Sequence, residues 1–164
     1  MGQGGGGNLA LYNVEGIVIR VRNFQEADKI VVMLTREEGK VEAVARGARR
    51  PRNRLAAATQ LFSQVRAQLF TGRNLDTLSQ VEIVESFRQL REDLVRMAYA
   101  TYACELMDAL LPERQRQEAA YLLLLTSLHL FNAPELPPEP LLRAYELKLL
   151  SMLGFRPSLT ACVG

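Results

Sequence analysis

The stretch DKIVVMLTREEGKVEAVARG, residues 28–47, contains two runs of alternating apolar residues separated by Glu37-Glu38-Gly39. An apolar side chain at every second position is typical of a strand with one buried face. Gly39 can supply the positive φ that a tight hairpin connection commonly needs. The stretch therefore predicts two antiparallel strands joined by a short turn. In the second strand we expect an inner set, Val41, Ala43 and Ala45, and an outer set, Lys40, Glu42, Val44 and Arg46.

Three more strands are predicted on either side of this hairpin. In GIVIRVR, residues 16–22, Ile17, Ile19 and Val21 are expected to face one way and Val18, Arg20 and Arg22 the other. Residues 63–86 indicate two strands around Gly72-Arg73-Asn74, with an inner set, Val65, Ala67 and Leu69, and an outer set, Arg66, Gln68 and Phe70. Five short strands with one partly helical connection, LAAATQLF, between the third and the fourth are the outline of an OB-fold barrel.

The pattern becomes helical after Ser86. Apolar residues recur three and four positions apart in residues 91–114 and fill most of residues 117–132. Pro112 is expected to end the first helix, Pro140 suits the first turn of a third, and Gly154 is expected to end that one. The predicted fold class is a two-domain β + α protein: a flexible leader (1–8), an N-terminal OB-fold β-barrel (9–85) and an all-α helical domain (86–164).

The charge is distributed unevenly along the 164 residues, whose net charge is only +2. Residues 1–80 carry 12 Lys and Arg against 7 Asp and Glu, a net +5, and residues 81–164 carry 8 against 11, a net −3. Residues 46–54, RGARRPRNR, which we call the arginine loop, contain no acid and five arginines, Arg46, Arg49, Arg50, Arg52 and Arg54. Because the planar guanidinium matches phosphate oxygens, the loop predicts nucleic-acid binding with a steep dependence on salt. The alternative is a solvated loop without a ligand.

Further contacts to DNA are predicted at outward strand positions and at one loop tip. Phe70 is a candidate platform on which bases stack, with ordinary barrel packing as the alternative. The other candidates are basic: Arg20, Arg22, Lys40, Arg66 and Arg73.

No set of residues in the sequence predicts catalysis. The one histidine, His129, lies in an apolar helix, and Glu105 and Asp108 are expected to form a salt-bridged or solvated face, since no third metal ligand is visible. We therefore expect a protein that is not an enzyme and has no cofactor and no small-molecule substrate. Two cysteines are too few for a disulfide scaffold, and no apolar run has the length of a membrane span, so a cytoplasmic protein is expected. The predicted DNA binding would make it nucleoid-associated.

Several strings of the sequence resemble the RecO family in order and spacing. EADKIVVMLTREEGK, ARGARRPRNRL and GRNLDTLSQVE are similar to its N-terminal OB domain, and LREDLVRMAYATYACELMDALLPER and RAYELKLLSMLGFRPSL to its C-terminal domain. The resemblance covers roughly residues 12–164. It implies a recombination mediator in DNA repair that binds single- and double-stranded DNA, anneals complementary strands and helps to load RecA. RecR and the acidic C-terminal tail of single-stranded DNA-binding protein (SSB) are the implied partners.

The sequence departs from the family's pattern at Cys162-Val163-Gly164. Many RecO proteins are longer and carry a zinc module of two CxxC pairs, the first of which is expected to begin here. One cysteine cannot hold structural zinc, which takes four ligands. The helical domain is therefore expected to be incomplete, with apolar surface around Leu149, Leu153 and Phe155.

A second function, from another class, is open at this point. A protein-interaction scaffold would use the same arginine loop to bind an acidic peptide tail, because Coulomb attraction alone does not separate DNA from such a peptide.

Overall fold

The structure is a computed structural model that describes residues 10–155. Its strands are β1 (Leu11–Phe24), β2 (Asp28–Thr35), β3 (Gly39–Ala45), β4 (Gln64–Phe70) and β5 (Asp76–Glu85). Its helices are α1 (Arg54–Ala58), α2 (Arg88–Arg91), α3 (Leu94–Leu110), α4 (Glu118–Phe131) and α5 (Pro138–Met152). The five strands and the three long helices confirm the predicted order of elements. The expected leader and Cys162 lie outside the described residues.

The five strands close into a barrel in the order β1-β2-β3-β5-β4, with β1 pairing β4 to complete the circle. All neighbouring strands are antiparallel except β3 and β5, which run parallel. Gly39 has a φ of +71° at the turn between β2 and β3, as the hairpin required. Helix α1 lies between β3 and β4 in the chain, so the predicted barrel with one helical connection is confirmed.

The barrel interior contains the residues predicted for β3 and β4: Val41, Ala43, Ala45, Val65, Ala67 and Leu69. The prediction for β1 correctly placed Ile17 and Ile19 on the face away from Val18, but it was wrong for Val21, which shares the interior with Val18. The register of β1 against β2 shifts between Val18 and Arg20, so Val18 and Val21 face the interior while Ile17 and Ile19 face outward. A bulge inserts one extra residue and exchanges the two faces of a strand beyond it, which simple alternation does not reveal.

The helices cover one outer side of the barrel. Ile17, Ile19, Val32 and Leu34 point away from the interior and pack in one cluster with residues of α3, α4 and α5, among them Met107, Tyr121 and Tyr145. This layer explains why outward residues of β1 and β2 are apolar and buried.

Lys40 lies under the same layer, so its expected position on an exposed face was wrong. Only 9% of the residue is exposed. Its Nζ donates to the backbone oxygen of Asp108 at 2.6 Å and lies 3.2 Å from the Asp108 carboxylate. Alternation along β3 correctly places Lys40 on the outer face, but α3 covers that face.

Helix α5 begins at Pro138, so Pro140 lies in its first turn as expected. Of the residues expected at exposed apolar surface, Phe155 is 63% exposed, whereas Leu153 is half-buried and Leu149 fully buried. Further exposed apolar residues border a groove of about 410 Å³ between α3 and α5: Tyr102, Leu110, Leu147 and Leu150. Within residues 10–155, no helix is long and apolar enough to cross a membrane.

Candidate functional site

The arginine loop has a backbone fixed by consecutive turns. Arg50 donates its N–H to the carbonyl of Gly47, and Asn53 donates to the carbonyl of Arg50, each at 3.0 Å. Gly47 has a φ of +73°, a conformation that suits glycine, and Ala48 is almost fully buried against the barrel core. The side-chain oxygen of Asn53 accepts from the N–H of Leu55 at 2.7 Å and caps α1. The loop is therefore a defined scaffold for its arginines.

The turn between β1 and β2 supports the arginine loop from the side. The carboxylate of Asp28 accepts the N–H of Gly47 at 2.8 Å, and the carbonyl of Ala27 accepts the N–H of Arg49 at 2.9 Å. The Arg49 guanidinium donates to the carbonyl of Gln25 at 2.8 Å. The sequence analysis missed Asp28, because its partner lies 19 residues away and no local pattern marks the pair.

The five arginines of the loop are all exposed, and none of them forms an ion pair within the described residues. Elsewhere most arginines have a carboxylate partner: Arg20, Arg22, Arg36, Arg66, Arg88, Arg96, Arg114, Arg116 and Arg143. The unneutralised positive charge is therefore concentrated in the arginine loop.

Strand register places Arg22 and Phe70 at opposite ends of one outward-facing row, whose middle residues Ile30 and Val44 are buried. Arg22 is opposite Ile30, Ile30 opposite Val44, Val44 opposite Thr77, and Thr77 opposite Phe70. Val44, in the middle of this row, lies two residues before Arg46 in the chain. Phe70 is 39% exposed, and Arg22 is exposed with its guanidinium 3.9 Å from Glu42.

Arg20, Arg66 and Lys40 do not join this surface as free cations. Arg20 lies 2.7 Å from the Asp108 carboxylate, and Arg66 lies 3.8 Å from Glu82 and opposite Glu15 on β1. Lys40 shares Asp108 with Arg20. The carboxylates compete with any anion at these positions.

Asp76 holds the loop between β4 and β5, whose exposed tip carries Arg73. The buried carboxylate of Asp76 accepts from the N–H of Gly72 at 3.0 Å, from the hydroxyl of Tyr12 and from the guanidinium of Arg114. Burial, and then the bond to Asp76, raise the pKa of the Tyr12 hydroxyl. Sequence reasoning missed this cluster, because Tyr12, Asp76 and Arg114 lie far apart in the chain.

The residues weighed for catalysis have structural contacts. The ring of His129 packs edge-on against Phe87, with centroids 4.9 Å apart. Burial, and then the charges of Glu105 and Asp108, raise the pKa of the buried Cys104 thiol. The expected salt-bridged face is confirmed at Asp108. Among residues 10–155, no three or more His, Cys, Asp or Glu side chains are grouped as metal ligands.

Two family models match consecutive parts of the chain. Residues 9–87 match the N-terminal model of recombination protein O, and residues 91–164 match its C-terminal model. The chain belongs to the recombination protein O family. The sequence resemblance to the RecO family is thereby confirmed.

Curated members of the recombination protein O family are similar over nearly the whole chain. The chain is 88% identical over 156 residues to the DNA repair protein RecO of Symbiobacterium thermophilum. These 156 residues are 95% of this chain and 62% of the relative. It is 42% identical over 153 residues to the protein of that name from Alkaliphilus metalliredigens, with 93% and 62% covered. It is 46% identical over 149 residues to that of Listeria welshimeri, with 90% and 58% covered. The chain thus spans about 60% of the length of these relatives.

Proposed function

We propose that this chain is the DNA-binding part of a recombination mediator in DNA repair, and that its barrel is of the OB type. The strand order β1-β2-β3-β5-β4, with α1 between the third and fourth strands, supports the OB assignment. One observation carries the DNA-binding role: the arginine loop has five exposed guanidiniums without an ion pair among residues 10–155.

Phosphate binding follows from the chemistry of this loop. Like charges in so short a stretch repel one another, and a chain of phosphates relieves that repulsion. Guanidinium groups bind phosphate oxygens with paired, charge-assisted hydrogen bonds. Contacts to phosphate position a nucleic acid without reading its sequence, so the loop suits both single and double strands.

The strand is proposed to run from the arginine loop towards the loop between β4 and β5, where Phe70 and Arg73 are exposed. Phe70 offers its exposed ring to a base. Arg20, Arg22 and Arg66 are assigned a smaller part because each already has a carboxylate partner. Lys40 is left out because it is buried against Asp108.

Annealing follows physically from this mode of binding. Once the loop neutralises phosphates, two complementary strands approach with less repulsion, and no catalytic residue or nucleotide hydrolysis is needed. RecR, the SSB tail and RecA enter the proposal through the family resemblance. The relatives' name, DNA repair protein, supports the assignment to DNA repair. Binding to chromosomal DNA would place the protein in the nucleoid.

Alanine substitution within the loop tests the proposal. The variant R49A/R50A/R52A/R54A is expected to bind a fluorescent single-stranded oligonucleotide at least roughly tenfold more weakly than the parent at low salt. The matched control, R88A/R116A/R143A/K148A, removes the same charge from exposed positions of the helical part and is expected to bind like the parent. Equal binding by the two variants would contradict the proposal.

Competition separates DNA from the acidic-peptide alternative. A labelled acidic peptide that bound the arginine loop would be displaced by excess DNA and lost in R49A/R50A/R52A/R54A. If the peptide binds the loop but an oligonucleotide does not bind the parent, the scaffold function replaces DNA binding.

A further inference from the structure

A cleft between α1 and β5 lies directly beside the arginine loop. Asn53, Arg54 and Leu55 form one side, and Ser79, Gln80 and Val81 form the other. The enclosed volume is about 330 Å³, near the lower end of the ~300–1,000 Å³ typical of small-ligand sites. None of the six lining residues is acidic, so the cleft does not repel a phosphate chain that passes along its rim.

A bulge in β5 shapes one wall of this cleft. Gln80 is opposite Gln68 on β4 and Leu78 is opposite Leu69, so Ser79 is the extra residue between them. Such a bulge leaves one residue out of the ladder and redirects its side chain, and bulges occur often beside functional sites. In the part of the chain that the structure describes, the side chains of Ser79 and Gln80 make no hydrogen bond. They are therefore available to a ligand.

The lining combines the two properties that a flat aromatic heterocycle requires. Leu55 is nearly buried and Val81 half-buried, so both supply apolar contact. Ser79 and Gln80 supply donors and acceptors for the polar edge of a base.

We propose that this cleft, the base cleft, receives a nucleobase of single-stranded DNA whose phosphates lie on the arginine loop. Asn53 and Arg54 belong to both the loop and the cleft, so a strand held by the loop has a base within reach. Bases of a duplex are stacked and paired, and entering the cleft would cost the energy of extruding one. The base cleft therefore favours single strands over duplex, an inference that rests on the proposed DNA-binding function.

A pair of oligonucleotides with and without bases tests the base cleft. A 20-mer of thymidine and a 20-mer of abasic tetrahydrofuran spacers carry the same phosphates, so only base contacts distinguish them. The parent is expected to bind the thymidine oligomer about fivefold more tightly, the effect of roughly one net hydrogen bond. The variant S79A/Q80A is expected to lose most of this preference, and F70A only the smaller part that stacking on Phe70 contributes. The affinity of S79A/Q80A for the abasic oligomer is expected to stay that of the parent.

The control S86A/Q89A removes the same side chains from exposed positions beyond β5 and should keep the preference. If thermal unfolding shows that S79A/Q80A is not folded, Q80A alone, at an exposed position, replaces it. Equal binding of both oligomers by the parent, or an undiminished preference in S79A/Q80A, would overturn the base cleft and leave the arginine loop intact. If the parent binds neither oligomer, DNA binding itself fails.

Discussion

Asp28 places the arginine loop although it lowers the positive charge of the site. Its carboxylate accepts the N–H of Gly47 from the side, just where the loop leaves β3. The charge of Asp28 and its hydrogen bond therefore have opposite effects on phosphate binding. A carboxylate beside a phosphate site weakens anion binding through its charge, while the hydrogen bond holds the arginines in position.

Two substitutions of Asp28 separate these effects. D28A leaves the N–H of Gly47 without its acceptor, which is expected to cost roughly 1–3 kcal/mol of stability and to weaken oligonucleotide binding several-fold, although the net charge rises by one. D28N keeps an acceptor oxygen and removes the charge, so we expect binding at least as tight as that of the parent. Fluorescence anisotropy and urea unfolding measure the two quantities. Tighter binding by D28A than by the parent would show that charge, and not geometry, decides.

The tip of the β2–β3 hairpin is one of the contacts between the barrel and the helical part. The N–H of Arg114, between α3 and α4, donates to the carbonyl of Lys40 at 2.9 Å, and the backbones of Lys40 and Glu113 form a single β-bridge. A Cβ added at Gly39 would lie 2.0 Å from the backbone oxygen of Gln115. Gly39 is thus required both by its positive φ and by this close approach.

G39A is therefore expected to destabilise the protein more than a substitution that only strains φ. G154A is the matched control, because Gly154 has a φ of +91° and, apart from its chain neighbours, no atom of residues 10–155 lies within 4 Å of where its Cβ would be. The positive φ alone should cost G154A about 1–2 kcal/mol, and G39A should lose clearly more, because the segment after α3 must move away. Urea unfolding followed by circular dichroism gives both free energies of unfolding. Equal losses would show that the contact with Gln115 contributes nothing.

At the scale of elements, local pattern was enough wherever alternation runs unbroken. The interior sets of β3 and β4 follow from periodicity and the turn at Gly39. Alternation gave the wrong face for Val21 in β1, which follows the bulge near Ile19. The bulge arises from pairing with β2 and leaves no mark in the sequence of β1 itself. Helix α2 has only four residues, too few for a helical period to show.

The whole molecule determines which of the predicted cations remain free. Alternation identified Arg20 and Lys40 as outward, but their partner Asp108 lies on α3, 68 residues after Lys40. The acidic second half thus neutralises basic positions on the side of the barrel that it covers. The arginine loop, at the end of β3, keeps its charge. Tertiary packing decided this division, so the sequence alone predicted the arginine loop but overestimated the extent of the surface around it.

The dependence of DNA binding on salt tests the central claim most directly, namely that arginines 49, 50, 52 and 54 neutralise phosphates. Each phosphate contact to a single strand contributes about 0.7 to the slope of log K against log salt. We predict that the slope of R49A/R50A/R52A/R54A is shallower than that of the parent by about 3, while R88A/R116A/R143A/K148A keeps the parent slope. If the loop variant keeps the parent slope as well, its arginines do not contact phosphates and the account is contradicted.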